Sequence, residues 1–201
     1  MTWIRTIEYG DATGRLRELY QRVKGHGDRI DNILKAHSLR PHTLEGHMRL
    51  YKHVLHHHAN RVPKWMLEAT GVYVSALNGC SYCVDHHTQG LRRLLGDDTR
   101  WQAMHAALLA DRPENLFEGR ELEMLRYARR LTLAPREMSE ADIVALRGSG
   151  VDDGEILEVN QVVAYFAYAN RTVLGLGVTT EGDVLGHSPG DSVDPDDWSH
   201  G

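Results

Sequence analysis

Residues 68–87 read EATGVYVSALNGCSYCVDHH, and this stretch determines how the rest of the chain is interpreted. It opens with an apolar run that contains one carboxylate, Glu68, and it is interrupted at Asn78-Gly79. Both cysteines of the chain, Cys80 and Cys83, follow the interruption, and His87 comes four residues later. Asn-Gly is a helix-breaking dipeptide, so the pattern predicts one helix that ends near residue 78 and another that begins near Cys80.

The second of these helices carries reactive side chains. Residues three and four positions apart are neighbours on a helix, so Cys80, Cys83 and His87 share one face. Both thiols fall in the first turn, where unpaired N–H groups and the helix dipole favour a thiolate. A thiol of low pKa beside a second, resolving thiol is the arrangement that redox chemistry requires. The stretch therefore predicts a redox-active dithiol whose two sulfurs close a disulfide.

The rest of the chain follows the same helical pattern. Its apolar residues recur mostly at spacings of three and four, and no segment alternates long enough to predict a sheet. The first helix is expected after Asp11 or Thr13, and the last runs from near Asp152 to the Gly175–Gly177 region. Ser139 begins a capping box for a helix just before the last one. We expect an all-α fold of about eight to nine helices.

Composition limits the classes of protein that the chain can represent. It has 201 residues, of which 41% are apolar, and its longest apolar run covers only residues 162–169. A membrane-spanning helix needs roughly 20 apolar residues, so we expect no membrane partner. The first residues show no basic region followed by an apolar one, and a secretory signal is therefore not expected. The corresponding expectation is a cytoplasmic protein.

The net charge of −5 is concentrated at one end. Residues 181–201 contain six acidic side chains and no lysine or arginine, which leaves residues 1–180 with a net charge of +1. A nearly neutral body gives no electrostatic reason to expect a nucleic acid partner. We therefore divide the chain into a helical domain, residues 1–180, and an acidic tail with glycine and proline, residues 181–201. The tail is expected to be mobile unless a neighbouring subunit holds it.

Other interpretations of the cysteines and histidines stay open. A Cys-x-x-Cys pair can be half of a zinc site, with His86 or His87 as a third ligand, and two buried thiols can simply be inert. No second Cys-x-x-Cys is present, and a helical first turn suits a dithiol better. His53 and His57, one helical turn apart in a run of histidines, can hold a metal or serve packing or a subunit interface. We expect no metal and no cofactor.

The spacing of the reactive residues resembles a known family. Glu68, eleven intervening residues, Cys80-x-x-Cys83, three more and His87 are similar to the core motif of the AhpD-like alkylhydroperoxidases in the carboxymuconolactone decarboxylase superfamily. Residues 31–42 and 170–178 resemble the "peroxidase-related" branch of that superfamily. The similarity extends over about residues 10–180.

This resemblance implies an all-helical fold in a homo-oligomer, a dimer, trimer or hexamer, and a thiol peroxidase cycle with an antioxidant role. By the same resemblance Cys83 attacks the hydroperoxide and becomes a sulfenic acid, and Cys80 condenses with it to a disulfide. An external dithiol then reduces the disulfide. His87 and Glu68 form the proton relay that deprotonates Cys83, in agreement with the position of His87 one helical turn from that thiol.

One position departs from the family pattern. Where alkylhydroperoxidases have a histidine that helps protonate the leaving oxygen, this chain has Tyr82. A phenol can donate a hydrogen bond but cannot supply an imidazolium, which predicts slow or narrow turnover. The alternatives to a peroxidase are a zinc-stabilised or purely structural oligomerisation module and a decarboxylase of the same superfamily. The dithiol argues against the decarboxylase.

Overall fold

The helical prediction is confirmed in the structure, a computed structural model that describes residues 2–25, 28–189, 194 and 196–198. Within these residues the chain forms nine α-helices and no β-strand. In chain order they are α1 (Gly14–Val23), α2 (Asn32–Ala36), α3 (Pro41–Leu55), α4 (Lys64–Leu77), α5 (Ser81–Leu95), α6 (Asp98–Leu109), α7 (Gly119–Leu133), α8 (Glu140–Gly148) and α9 (Asp153–Leu176).

Helix α4 lies at the centre of the helical body. It packs against α5, α6, α7 and α9, and its residues 66–75 are all buried. A helix that is covered on every side must be apolar all round, as the sequence of α4 is. Glu68 is the one carboxylate among those buried residues, so it needs a partner inside the protein.

The crossing of α4 and α9 depends on a glycine. A β-carbon at Gly71 would overlap the ring of Phe166, which comes from α9. The missing side chain therefore allows the Phe166 ring to approach α4 closely. Because that ring lies edge-on to His87, with 4.6 Å between ring centroids, the crossing also shapes the region around the reactive residues.

The ends of the helices agree with the local sequence signals. The side chain of Asp97 accepts a hydrogen bond from the Arg100 backbone at the start of α6, and Ser139 forms the predicted capping box with Asp142 at the start of α8. Helix α9 ends at Gly177, whose φ of +62° is favourable only for glycine. No described helix combines the length and the apolar character that a membrane span requires.

Beyond α9 the chain runs back along the helical body. We call residues 179–188 the C-terminal strap. The Asn32 side-chain amide donates hydrogen bonds to the carbonyl oxygens of Thr179 and Glu181, at 2.8 and 2.9 Å. Further along, Trp198 is buried beneath the Arg22 guanidinium, 3.7 Å from its ring centroid. These residues contact their own chain, and the separation of a 181–201 tail from the domain stays a prediction.

Candidate active site

The cysteines lie where α4 turns into α5. The turn passes through Gly79, with a φ of +68°, and the Cys80 backbone N–H donates to the Ser75 carbonyl oxygen at 2.9 Å. Cys80 is the N-cap residue of α5 and Cys83 lies in its first turn. The interruption at Asn78-Gly79 therefore has the predicted effect, because it sets both thiols at the start of a helix.

The two thiols are unequal in acidity. Both cysteines are free and buried. The hydrogen bond between their side chains lowers the pKa of Cys80, with further lowering by the Cys83 backbone amide and the Asn170 side chain. The same Cys80–Cys83 hydrogen bond, together with burial, raises the pKa of Cys83 well above its ordinary value. Cys80 is thus the more acidic thiol of the two, whereas the position of His87 alone suggests Cys83.

The two thiols are also unequal in access. A cavity of about 40 Å³ opens beside α5, and its lining includes Cys83 but not Cys80. Side chains of α3 and α9, such as Tyr51 and Tyr165, form an aromatic wall. Since about 10–15 Å³ accommodates one water, the cavity holds a few waters or a small molecule. A ligand in it meets the sulfur of Cys83 first.

Buried Glu68 and partly buried His87 form a pair next to Cys83. His87 Nδ1 is 2.8 Å from Glu68 Oε2, and both side chains line the cavity. Burial by itself raises the pKa of Glu68, but the charge and hydrogen bond of His87 and the charges of His56 and Arg93 outweigh burial, so that this pKa is lowered. Glu68 is therefore a carboxylate at neutral pH that holds His87. Its part in the relay expected from the resemblance is therefore to hold His87 and not to accept a proton near neutral pH.

The aromatic and glycine neighbours fix this pair in place. The rings of Tyr51 and Phe166 both lie edge-on to His87. Gly90 faces Glu68, and a β-carbon there would sit 3.5 Å from the carboxylate. Helices α4 and α5 can therefore approach closely enough for Glu68 to reach His87 across the gap between them.

Tyr82 is engaged with the C-terminal strap. Its hydroxyl donates to Asp183 Oδ2 at 2.7 Å and accepts a hydrogen bond from the Ile33 backbone N–H at 3.2 Å. Asp183 also accepts from the Asn32 backbone N–H and lies 3.3 Å from His86 Nε2. Burial of the phenol, with the adjacent carboxylates, raises the pKa of Tyr82 well above its ordinary value. The hydroxyl hydrogen of Tyr82 is thus committed to Asp183.

The structure places all five predicted site residues at or beside one cavity, since Cys83, His87, Glu68 and Tyr82 line it and Cys80 contacts Cys83. The structure also brings Asp31, Asp183 and Asn170 to this site, three residues that the spacing in the sequence did not indicate. Asn170 had a sequence signal, because it is an amide directly after the apolar run of α9. Asp183 had none, because it lies among the acidic residues that the pattern assigns to the tail.

In the histidine run at residues 53–58, His53, His57 and His58 lie outside the cavity lining, whereas His56 Nε2 is 4.0 Å from Glu68 Oε1. The His53 and His57 rings stack with 5.5 Å between centroids, and His57 stacks on His58. In the part of the chain that the structure describes, no group of three or more His, Cys, Asp or Glu side chains is arranged to hold a metal ion. The described geometry therefore gives neither the histidine run nor the dithiol a ligand set for zinc.

Comparisons with known proteins bear on the fold. No protein-family model matches the chain, and no curated protein does. Among solved structures, an uncharacterized peroxidase-related protein from Silicibacter sp. TM1040 is 24% identical with a TM-score of 0.70, covering 81% of this chain and 83% of its own. An AhpD-core, uncharacterized peroxidase-related protein from Ralstonia eutropha JMP134 is 22% identical with a TM-score of 0.76. This match covers 89% of this chain and 91% of that one.

A third similar structure has a different described activity. It is a cysteine-to-alanine variant of the debrominase Bmp8 in complex with 2,3,4-tribromopyrrole. It is 16% identical, with a TM-score of 0.70, and the match covers 90% of this chain and 93% of that one. The chain thus has the fold of AhpD-like, peroxidase-related proteins, which confirms the resemblance noted in the sequence at the level of the fold.

Proposed function

We propose that the protein is a thiol-dependent peroxidase that reduces hydroperoxides through Cys80 and Cys83. The observation that carries the proposal is the position of Cys83 in the wall of a small cavity that also contains the Glu68–His87 pair. A thiol, a resolving thiol in contact with it and a histidine–carboxylate pair that can act as base are groups suited to the two-electron reduction of a peroxide.

The cycle has three steps. His87, held by Glu68, accepts the proton of Cys83, and the thiolate attacks the terminal oxygen of R–O–O–H. The S–O bond forms as the O–O bond breaks, which oxidises the sulfur to a sulfenic acid and releases the alkoxide RO⁻. Cys80 then attacks the sulfur of Cys83, an S–S bond forms and hydroxide leaves. An external dithiol returns two electrons and two protons to the disulfide.

Access rather than resting acidity assigns the attacking thiol. Cys80 has the lowered pKa but lies outside the cavity lining, whereas Cys83 lines the cavity. A peroxide must reach the sulfur that it oxidises, so Cys83 attacks once its proton has moved to His87. Replacing Cys80 by serine should leave a trappable sulfenic acid on Cys83, and a trap that labels Cys80 in a Cys83→Ser variant would reverse the two roles.

The proposal also includes a homo-oligomer, a dimer, trimer or hexamer. Several apolar side chains on the outer face of α9 are exposed, among them Leu157, Tyr168 and Leu174. A symmetric partner would cover such a face. Light scattering should give a mass that is a multiple of the single chain at micromolar concentration.

The test of the function is consumption of ethyl hydroperoxide in the presence of a dithiol reductant. The natural chain should turn over, and Cys83→Ser should reduce the rate to that of the reductant alone. Exposed Ser81→Ala, between the cysteines, is the matched control and should keep the natural rate. Equal consumption by the natural chain and Cys83→Ser would exclude a peroxidase that works through this thiol.

Reductive debromination is a second candidate, favoured by the similarity to the Bmp8 structure. A dithiol can supply the two electrons for it, since ArBr and two thiols give ArH, a disulfide and HBr. The small cavity favours a hydroperoxide over a tribromopyrrole. Release of bromide from 2,3,4-tribromopyrrole by the natural chain, faster than consumption of ethyl hydroperoxide, would make debromination the main activity.

A further inference from the structure

The cavity contains a second histidine–carboxylate pair that the proposed cycle does not use. His86 lies one helical turn from Cys83 on α5, and its Nε2 is 3.3 Å from Asp183 Oδ2. Cys83, His86 and His87 all contribute to the lining of the cavity. Cys83 is therefore accompanied by two imidazoles, each with a buried carboxylate beside it.

The His86 nitrogen that faces Asp183 is left without a hydrogen-bond partner among the described residues. Nε2 is buried, and the approach of Asp183 does not have hydrogen-bond geometry. The Tyr82 ring lies against the imidazole, with 4.6 Å between centroids. The ring is thus held in place while its nitrogen keeps the capacity to donate, and a buried donor without a partner is costly unless a ligand completes it.

Asp183 is fixed independently of His86. Its carboxylate accepts hydrogen bonds from the Tyr82 hydroxyl and from the Asn32 backbone N–H, and its side chain is almost fully buried. Those bonds hold a negative charge next to the imidazole. A fixed carboxylate beside an imidazole orients the ring.

The cycle moves two protons in two successive steps. Two thiols release two protons, and two oxygens, the alkoxide and the hydroxide, must receive them. His87 takes the proton of Cys83 and can return it to the hydroxide that leaves when the disulfide forms. The alkoxide leaves earlier, in the same step in which Cys83 attacks, and a second imidazole in the cavity can protonate it while His87 still holds the proton of Cys83.

We propose that His86 is that donor, a catalytic acid that protonates the leaving oxygen of the hydroperoxide, and that Asp183 is its positioning residue. The inference rests on the proposed peroxidase function. As the S–O bond to Cys83 forms and the O–O bond breaks, the proton on His86 passes to RO⁻ and gives ROH. Cys80 releases its proton on forming the disulfide, and that proton restores His86. The His86 imidazole thereby protonates the leaving oxygen. Tyr82 cannot do so, because its hydroxyl hydrogen is held by Asp183.

The experiment compares two oxidants of similar size in single turnovers of Cys83 oxidation. Ethyl hydroperoxide expels an alkoxide, which needs a proton, and peracetic acid expels acetate, which does not. His86→Gln should slow oxidation by ethyl hydroperoxide by about 10²-fold, the scale of acid catalysis, and oxidation by peracetic acid by less than about threefold. His42→Gln removes an exposed imidazole at the start of α3 and should change neither rate.

The ratio of the two rates separates the possible outcomes. Equal slowing with both oxidants, or no slowing with either, would overturn the assignment of His86, since a merely structural role does not depend on the leaving group. If His86→Gln does not fold, Asp183→Asn carries the test and should slow only ethyl hydroperoxide, by about tenfold. A natural chain that reacts with neither oxidant would instead refute the proposed peroxidase function.

Discussion

The two histidine–carboxylate pairs beside Cys83 are built in different ways. Glu68 and His87 both belong to helices, α4 and α5, and their atoms meet at 2.8 Å in the interior. In the other pair, His86 belongs to α5 but Asp183 belongs to the C-terminal strap, an irregular segment, and the atoms are 3.3 Å apart. One pair is part of the helical core, and the other is completed by a segment that folds over it.

The difference indicates a division of labour in the proposed cycle. The core pair deprotonates the thiol and stays fixed for as long as α4 and α5 are packed. The strap pair serves the leaving oxygen and also bounds the cavity, because Gly186, His187 and Ser188 are among its lining residues. Loss of the strap should impair protonation and admit larger molecules, while loss of the core pair should remove the nucleophile.

The largest effect is expected from Glu68→Gln. The amide keeps the shape of the carboxylate but cannot hold a protonated His87 by charge, so oxidation of Cys83 should slow about 10²-fold or more. Ethyl hydroperoxide and peracetic acid should be affected alike, because thiol deprotonation precedes both reactions. Single-turnover rates with the two oxidants measure the effect.

Glu155→Gln is the matched control for this variant. Glu155 is also a buried carboxylate, but it caps α9 and pairs with Arg120 outside the cavity lining. Its replacement should lower the melting temperature and leave both rates unchanged. A Glu68→Gln chain that folds and retains the full rate would show that the core pair has no part in the reaction.

Most of the core pair could be predicted from the sequence, and the strap pair could not. Helical periodicity fixes which side chains share a face of α5, and a carboxylate in an apolar helix must find a buried partner, so Glu68 and His87 follow from local rules. Asp183 reaches Tyr82 and His86 across about 100 residues of sequence, through an irregular segment. No periodicity describes such a segment, and a carboxylate in an acidic stretch does not differ in pattern from its neighbours.

The acidity of the dithiol shows a second limit of the sequence. The spacing predicts that the two thiols meet and that His87 lies one turn away. It does not predict the hydrogen bond between the sulfurs, which lowers the pKa of Cys80 and raises that of Cys83. The strength of this hydrogen bond depends on differences of tenths of an ångström in the distance between the sulfurs. The pKa of Cys80 also depends on Asn170, which comes from the distant helix α9.

Gly71→Ala should disturb the core pair through packing. The new methyl group overlaps the Phe166 ring, and the overpacking should reduce the free energy of unfolding by about 1–3 kcal/mol. Because Phe166 packs on His87, peroxidase activity should fall as well. Denaturant unfolding measures the first effect. Gly46→Ala, at a helical position with open space around it, is the control and should not destabilise the protein.

Asp31→Asn should stabilise the strap side of the cavity at neutral pH. Burial raises the pKa of Asp31 from 3.8 to about 6, with His86 opposing and Asp183 adding to the rise. The folded protein therefore holds a proton that the unfolded chain has released, and stability falls as the pH rises from about 4 to about 6. The variant should be more stable by about 3 kcal/mol above pH 7 and show no difference below pH 4. A stability difference that is independent of pH would contradict this.

The smallest effect is expected from Asn32→Ala. It removes the side-chain hydrogen bonds to Thr179 and Glu181 but leaves the backbone bond to Asp183 in place. The variant should lose about 1 kcal/mol of local stability in residues 179–188, so that amide exchange in this segment accelerates severalfold. Amide exchange in α4 should not change. Exchange that accelerates equally in both regions would mean that the strap and the core open together.

The most direct test of the redox dithiol is the intact mass of the natural chain before and after one equivalent of ethyl hydroperoxide. Cys80 and Cys83 in contact should form an intramolecular disulfide, so each chain should lose two hydrogens, and an external dithiol should restore them. An unchanged mass, or an oxidised product joined only between chains, would contradict the account.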